Sequence, residues 1–85
     1  MTQYHDLVKR MSYKLKAEAW AKEIKIIYGQ RADNNDWIVT TTYNNGDEIV
    51  ENVSKKTKVI HRSNMSLEEM LDAMQREEAD AIFRN

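Results

Sequence analysis

Apolar residues in the first third of the chain recur with the period of an α-helix, along two lines. The first line contains Tyr4, Leu7, Val8, Met11, Leu15 and Ala19, and the second contains Tyr13, Ala17, Trp20, Ile24 and Ile27. At about 100° per residue, the two lines fall on nearly opposite sides of one helix. We predict one long helix, or two helical pieces that meet near Ser12. A long helix either buries both sides or presents Tyr13, Ala17 and Trp20 to a partner.

The segment 23–30 fits both a helix and a strand. As a helix it extends the second apolar line, and Gly29 is able to end either element. Its β-branched and aromatic residues favour a strand, namely Ile24, Ile26, Ile27 and Tyr28. We expect the strand, paired with residues 36–43 across the polar loop 31–35.

Residues 36–62 have the pattern of an antiparallel meander. β-branched and aromatic residues lie on both sides of Asn45-Gly46, which is the strongest short-range signal for a hairpin. A two-residue loop at this pair sets Thr42 opposite Ile49. That register places Ile38, Ile49 and Val53 on one side, and Trp37, Val39, Tyr43 and Val50 on the other. Both sides mix apolar and polar residues, so alternation does not identify the buried side.

Two further elements follow this hairpin. A strand over residues 57–62 comes after a turn at 54–56, and its Lys58 suits an exposed edge. A helix begins after Ser66, which forms a capping box with Glu69. The apolar stripe of this helix is Leu67, Met70, Leu71, Met74, Ala81 and Ile82.

The predicted fold is therefore α+β, in the order α-β-β-β-α or α-β-β-β-β-α, and forms a single domain over residues 1–85. The 85 residues are 41% hydrophobic and 32% charged, a mix typical of globular proteins. No cysteine is present. Because small secreted domains usually need disulfides, we expect a cytoplasmic protein. No run of about 18 apolar residues occurs, so we expect no membrane contact.

The net charge of −1 is distributed unevenly. Residues 1–36 hold seven Lys/Arg and five Asp/Glu, giving +2, and residues 37–63 hold four and three, giving +1. Residues 64–85 hold two and six, giving −4. The basic excess of the first two segments is too small to indicate nucleic acid by itself.

Side chains with reactive chemistry are few. Gly29 and Gly46 are the only glycines, and neither stands in a phosphate-binding loop pattern. The two histidines are His5, beside Asp6, and His61, in the third strand of the meander, and we expect an ordinary surface or edge role for each rather than general-base catalysis. No spacing of His, Asp and Glu predicts a metal site. We therefore expect a protein that is not an enzyme, with no cofactor and no metal.

Our first functional hypothesis is a small regulatory protein that works through protein–protein contacts without catalysis. Chains of this size with no catalytic motif are common among bacterial and phage accessory proteins that inhibit or modulate a larger partner. Aromatic and acidic residues are the candidate contact residues, namely Tyr13, Trp20, Trp37, Tyr43, Glu68, Asp72, Glu77 and Asp80. A homodimer in which apolar stripes cover each other is a further hypothesis.

The alternative is a nucleic-acid-binding domain. Aromatic side chains on a sheet with basic neighbours stack bases and hold phosphates in several single-strand binders. The residues that fit this pattern are Trp37, Tyr43, Lys55, Lys56, Lys58 and Arg62.

Overall fold

The computed structural model describes the backbone of residues 2–83 and the side chains of residues 9–81. Its elements are α1 (Thr2–Ala21), β1 (Ile24–Arg31), β2 (Trp37–Tyr43), β3 (Glu48–Asn52), β4 (Thr57–His61) and α2 (Leu67–Phe83). This order confirms the α+β prediction in its α-β-β-β-β-α form. It also confirms the strand in segment 23–30, and Gly29 lies inside β1 rather than at its end.

Contacts between residues group the chain into two units. The helical unit contains residues 1–21 and 65–85, and the sheet unit contains residues 22–64. The single domain over residues 1–85 stays a prediction.

In the helical unit, α1 packs against α2 along the second apolar line. Ala17 and Ala21 on α1 and Met74 on α2 are buried, and the small alanines allow the two helix axes to approach closely. Met11 and Leu15 of the first line are more than half exposed. Among the described side chains of α1, only those on the side that meets α2 are buried, so the alternative in which the helix buries both sides was wrong. α1 is also continuous past Ser12, and it ends before the Ile24 and Ile27 of the predicted line.

The beginning of α2 has the predicted capping box. The backbone N–H of Glu69 donates to Ser66 Oγ at 3.2 Å, and the Ser66 N–H donates back to Glu69 Oε1 at 3.4 Å. These bonds satisfy backbone donors that the first turn of a helix leaves without partners. Within residues 2–83, neither helix combines the length and the apolar character needed to cross a membrane.

Some predictions fall on side chains outside the described residues. These are Tyr4, His5, Leu7 and Val8 near the start of the chain, and Ile82 near its end.

The sheet unit is an antiparallel meander in the order β1-β2-β3-β4. Each strand pairs with the next one along the chain, so β1 and β4 are the two edges. None of the residues 22–64 is buried; each is half-buried or exposed. The sheet unit therefore has no closed core of its own.

The first two turns of the meander are built in the same way. In each, three loop residues separate a pair of residues joined by a backbone bond: the Ala32 N–H donates to the Asp36 carbonyl, and the Tyr43 N–H to the Asp47 carbonyl, both at 2.8 Å. The third loop residue has a positive φ, 71° at Asn35 and 91° at Gly46. This is the three-residue hairpin loop, a type I turn followed by a left-handed residue, which favours Asn or Gly at that position.

The three-residue loop changes the predicted register between β2 and β3 by one residue. Thr41, not Thr42, lies opposite Ile49. The prediction was wrong because it treated Asn45-Gly46 as a two-residue loop, whereas residues 44–46 all belong to the loop.

A shift of one residue moves a side chain to the other face of a sheet. The tryptophan face, as we name it, carries Ile27, Gly29, Arg31, Trp37, Val39, Thr41, Tyr43, Ile49, Glu51, Val53, Lys58 and Ile60. The opposite face carries Ile26, Tyr28, Ile38, Val50 and Val59. The predicted grouping was therefore wrong for the three β3-side residues Ile49, Val50 and Val53.

Candidate functional site

The tryptophan face brings together most of the residues of the nucleic-acid alternative. Trp37 and Tyr43 lie on this face at the two ends of β2, about 20 Å apart along the strand. Lys58 lies on the same face two strands away, and Arg62 follows β4 on that side. Lys55 and Lys56 lie instead in the β3–β4 turn.

Trp37 is held in place by its neighbours on β1. Its ring covers Gly29, where a Cβ atom would lie only 2.9 Å from Trp37 Cζ2. The Arg31 guanidinium lies 5.5 Å from the centre of the ring, within the range of a cation–π contact. The side chain remains 39% exposed. Gly29 is therefore needed for ring packing across two strands, a role that its sequence context did not reveal.

At the other end of β2, Tyr43 borders a shallow cleft of about 320 Å³. The cleft lies entirely within the sheet unit, and it is lined by Lys22, Tyr43, Asn45, Asp47, Ile49, Ile60 and Arg62. Two of its three charged residues have partners: Asp47 Oδ1 accepts from the Ser63 N–H at 2.7 Å, and Arg62 lies 3.6 Å from Asp47. The cleft therefore has an apolar floor between Ile49 and Ile60, with an ion pair and Lys22 on its rim.

The hydrogen bond from the Ser63 backbone, together with Asn45 and Arg62, lowers the pKa of Asp47 below its ordinary value of 3.8. Asp47 is thus a charged structural residue that fixes the end of β4 to the β2–β3 loop.

Asp36, at the β1–β2 loop, has the same kind of role as Asp47: it fixes this loop to the end of β3 and the turn that follows. It accepts from Asn52 Nδ2 at 2.9 Å and lies 3.4 Å from Lys55 Nζ. The Asn52 hydrogen bond, with help from Lys55 and Asn34, lowers its pKa below 3.8. A repeated signal marks both sites: an Asn side chain at the second loop position accepts from the aspartate N–H, as Asn34 and Asn45 do. Two of the basic residues near β4 are therefore paired with carboxylates.

The aromatic residues of α1 contribute to the helical unit. The Trp20 indole N–H donates to Glu77 Oε2 at 2.6 Å, and Trp20 is half-buried. Tyr13 is 40% exposed, with Lys16 Nζ 5.9 Å from its ring centre. Tyr13 is thus available to a partner, while Trp20 already connects the two helices.

The acidic residues of α2 do not share one face. Glu68 and Asp72 are four residues apart and lie on one side, whereas Glu77 follows Asp72 by about 140° around the helix. Glu68 borders a groove of about 500 Å³ within the helical unit, and Glu77 is bonded to Trp20. Asp72 and Asp80 are exposed. The four acids therefore do not present one continuous acidic surface.

β1 is the most exposed apolar segment of the sheet, and it was not among the predicted contact residues. Its four large apolar residues are each more than half exposed, namely Ile24, Ile26, Ile27 and Tyr28. They lie on both faces, and no described strand pairs with the outer side of β1. The run of β-branched residues in β1 indicated this exposed strand in the sequence. Two of them, Ile24 and Ile27, also fit the second apolar line of the predicted helix, which made the run ambiguous.

Among the side chains of residues 9–81, no group of three or more His, Cys, Asp or Glu is placed to hold a metal ion. His61 is exposed on β4, opposite Glu48.

No protein-family model, curated protein or solved structure matches this chain.

Proposed function

We propose that this protein is a non-catalytic binding protein that acts through protein–protein contacts made by its sheet unit. The observation that carries the proposal is β1, an edge strand whose large apolar side chains are exposed on both faces. An exposed apolar patch on a soluble protein commonly marks a contact site, and an open strand edge is a template for pairing with another chain. The role we infer is regulatory: by adding to a partner's surface, the chain modulates that partner.

Strand addition would supply both affinity and specificity at β1. Backbone N–H and C=O groups form the bonds, and the side chains that alternate between faces select the partner. The exposed positions Ile26 and Tyr28 would contact the partner on one face, and Ile27 on the other. The lack of cysteine is compatible with the cytoplasm, where we expect this contact to form.

Capture from a native lysate tests this proposal when it is run with two matched variants. Ile27→Lys places a charge in the exposed centre of β1, and Ile60→Lys makes the same change on the other edge strand. We expect a set of proteins, identified by mass spectrometry, that the parent chain and Ile60→Lys retain and that Ile27→Lys loses. Equal capture by all three would show that β1 is not the contact surface.

Nucleic-acid binding is the second candidate, and the register favours it by placing Trp37 and Tyr43 on one face with Lys58. The pairing of Lys55 with Asp36 and of Arg62 with Asp47 counts against it, because paired cations hold phosphate less well. For this reason we rank it second.

Fluorescence titration with single-stranded and duplex oligonucleotides tests this candidate. Binding at the tryptophan face predicts quenching that weakens steeply with salt, and that disappears in Trp37→Phe, where only Trp20 fluoresces. No response at low salt removes the candidate.

A further inference from the structure

The free backbone groups of β1 can be located from the pairing of β1 with β2. The Ala32 N–H donates to the Asp36 carbonyl, so this is a hydrogen-bonded pair of the antiparallel ladder. Hydrogen-bonded pairs alternate along such a ladder. Ile26, Tyr28 and Gln30 therefore direct their backbone groups to β2, and Ile27, Gly29 and Arg31 direct theirs to the open edge.

From this geometry we propose that a second copy of the same chain occupies the β1 edge, with the two β1 strands antiparallel about a twofold axis at Ile27. The inference rests on the proposed function, because it names the partner of the same strand. Because Ile27 can pair with Ile27, Gly29 or Arg31 of the second copy, a symmetric pairing that includes the Ile27 backbone has its axis at Ile27, Tyr28 or Gly29. The side chains then distinguish among these three.

An axis at Ile27 gives the best side-chain match. On the tryptophan face, Ile27 lies opposite Ile27 of the second copy. On the other face, Ile26 lies opposite Tyr28 of the second copy. β-branched and aromatic residues are favourable cross-strand pairs. All three side chains are exposed by more than half in the single chain, so the pairing shields apolar surface that is otherwise in water.

The other two axes are less favourable. An axis at Tyr28 sets Ile27 opposite Gly29 of the second copy, so each isoleucine meets a residue that has no side chain to pack against it. An axis at Gly29 sets Ile27 opposite Arg31 and places two residues without side chains at the centre. Because the register shift between Ile24 and Ile26 limits the paired segment to the part of β1 that follows it, an axis at Ile27 pairs residues 26–28 of each copy.

The pairing closes at two copies because the other edge of the sheet is protected. β4 has five residues, and Lys58 is the second of them, with its side chain exposed. A short edge strand with a lysine discourages further pairing. Two β1 edges are consumed in forming the dimer, and only β4 edges remain.

Single-cysteine variants test the inference directly, because the chain has no cysteine of its own. Opposed residues in an antiparallel pair have Cα atoms about 4.5–5.5 Å apart, within the range that a disulfide spans. Under mild oxidation at a concentration where the parent sediments as a dimer, we expect Ile27→Cys to be mostly disulfide-linked. Ile60→Cys, the same change on β4, should remain at the level of random collision.

Neighbouring variants report the position of the axis. With the axis at Ile27, Ile26→Cys and Tyr28→Cys should each link several-fold less than Ile27→Cys. Position 26 of one copy lies opposite position 28 of the other, so neither variant places two cysteines opposite each other. Preferential linking of Tyr28→Cys would overturn the proposed axis. A parent chain that sediments as a monomer at all concentrations, with no excess of Ile27→Cys linking, would overturn the dimer. The proposed function would survive that result if Ile27→Lys still lost captured proteins, and would fail with it if no captured protein depended on Ile27.

Discussion

Both edges of the sheet expose apolar side chains, including Val59 and Ile60 on β4, but the two edge strands differ in length and in the charges beside them. β1 has eight residues with an apolar centre that is exposed on both faces, and Ile27 is 61% exposed. β4 has five residues, and the cations on either side of it form ion pairs, Arg62 with Asp47 and Lys55 with Asp36. An edge that is built to stay alone is short and charged. The contrast indicates that β4 is the end of the sheet and that β1 is a place for another strand.

The largest expected effect comes from placing a charge at the centre of β1. Ile27→Lys should raise the dissociation constant of the dimer about a hundredfold or more, because two buried isoleucines are lost and two lysines face each other. Ile60→Lys is the control on β4 and should leave the constant unchanged. Sedimentation across a concentration series measures both. Equal effects of the two variants would remove the difference between the edges.

Filling the space under Trp37 should weaken β1 itself. In Gly29→Ala the new methyl group meets the indole ring, and we expect a loss of about 1–3 kcal/mol in the free energy of unfolding. The ring should also leave Arg31, which raises the exposure of Trp37 to fluorescence quenchers. Gln30→Ala is a control on the same strand with its side chain on the other face. Denaturant unfolding that is the same for Gly29→Ala and Gln30→Ala would contradict the packing role of Gly29.

Removing the charge from β4 should make the second edge resemble the first. Lys58→Val adds a β-branched residue to the open side of the sheet, and we expect species larger than a dimer in sedimentation velocity. Lys16→Val makes the same chemical change on α1, in the helical unit, and should not produce them. A Lys58→Val protein that stops at the dimer would show that the lysine does not protect β4.

The smallest effect should come from the carboxylates that support β4. Hydrogen bonds from Asn52 and from the Ser63 backbone lower the pKa values of Asp36 and Asp47 in the folded chain. Groups with a lowered folded pKa add stability above their unfolded pKa and lose it as the pH falls through the folded value. The free energy of unfolding should therefore be level near neutral pH and fall below about pH 4.

The double variant Asp36→Asn, Asp47→Asn checks the source of that dependence. It should be less stable than the parent at pH 7 and should lose less stability on acidification. Urea unfolding at neutral and acid pH measures the difference. Parallel pH profiles for the parent and the variant would assign the dependence to other groups.

Local patterns in the sequence were sufficient to predict the elements and the fold order. The capping box of Ser66 and Glu69, the turn residues and the β-branched run of β1 each act within a few positions of the chain. The predicted register of β2 and β3 was wrong because it depends on whether Asn44 belongs to the loop. A shift of one residue moves each side chain of β3 to the other face of the sheet. Similarly, the apolar line from Tyr13 to Ile27 ran through two different elements.

The candidate site was less accessible to sequence reasoning because it depends on pairing between distant residues. Trp37 and Tyr43 were identified as surface aromatics, but the packing of Trp37 on Gly29 follows only from the pairing of β1 and β2. The outward direction of the Ile27 backbone likewise depends on which ladder pairs are hydrogen-bonded. In contrast, the Asn-x-Asp pattern at Asn34 and Asn45 recurs in the sequence and was available as a signal.

Amide hydrogen exchange compares the two edges residue by residue. The outward N–H group at the proposed twofold axis is that of Ile27, and the outward N–H groups of β4 are those of Lys58 and Ile60, because the Val53 N–H bonds to the Trp37 carbonyl and hydrogen-bonded pairs alternate from there. In concentrated protein we expect the Ile27 amide to exchange at least about tenfold more slowly than the two β4 amides, after correction for intrinsic rates, with the gap closing on dilution. Equally fast exchange of all three amides at high concentration would contradict pairing at the β1 edge.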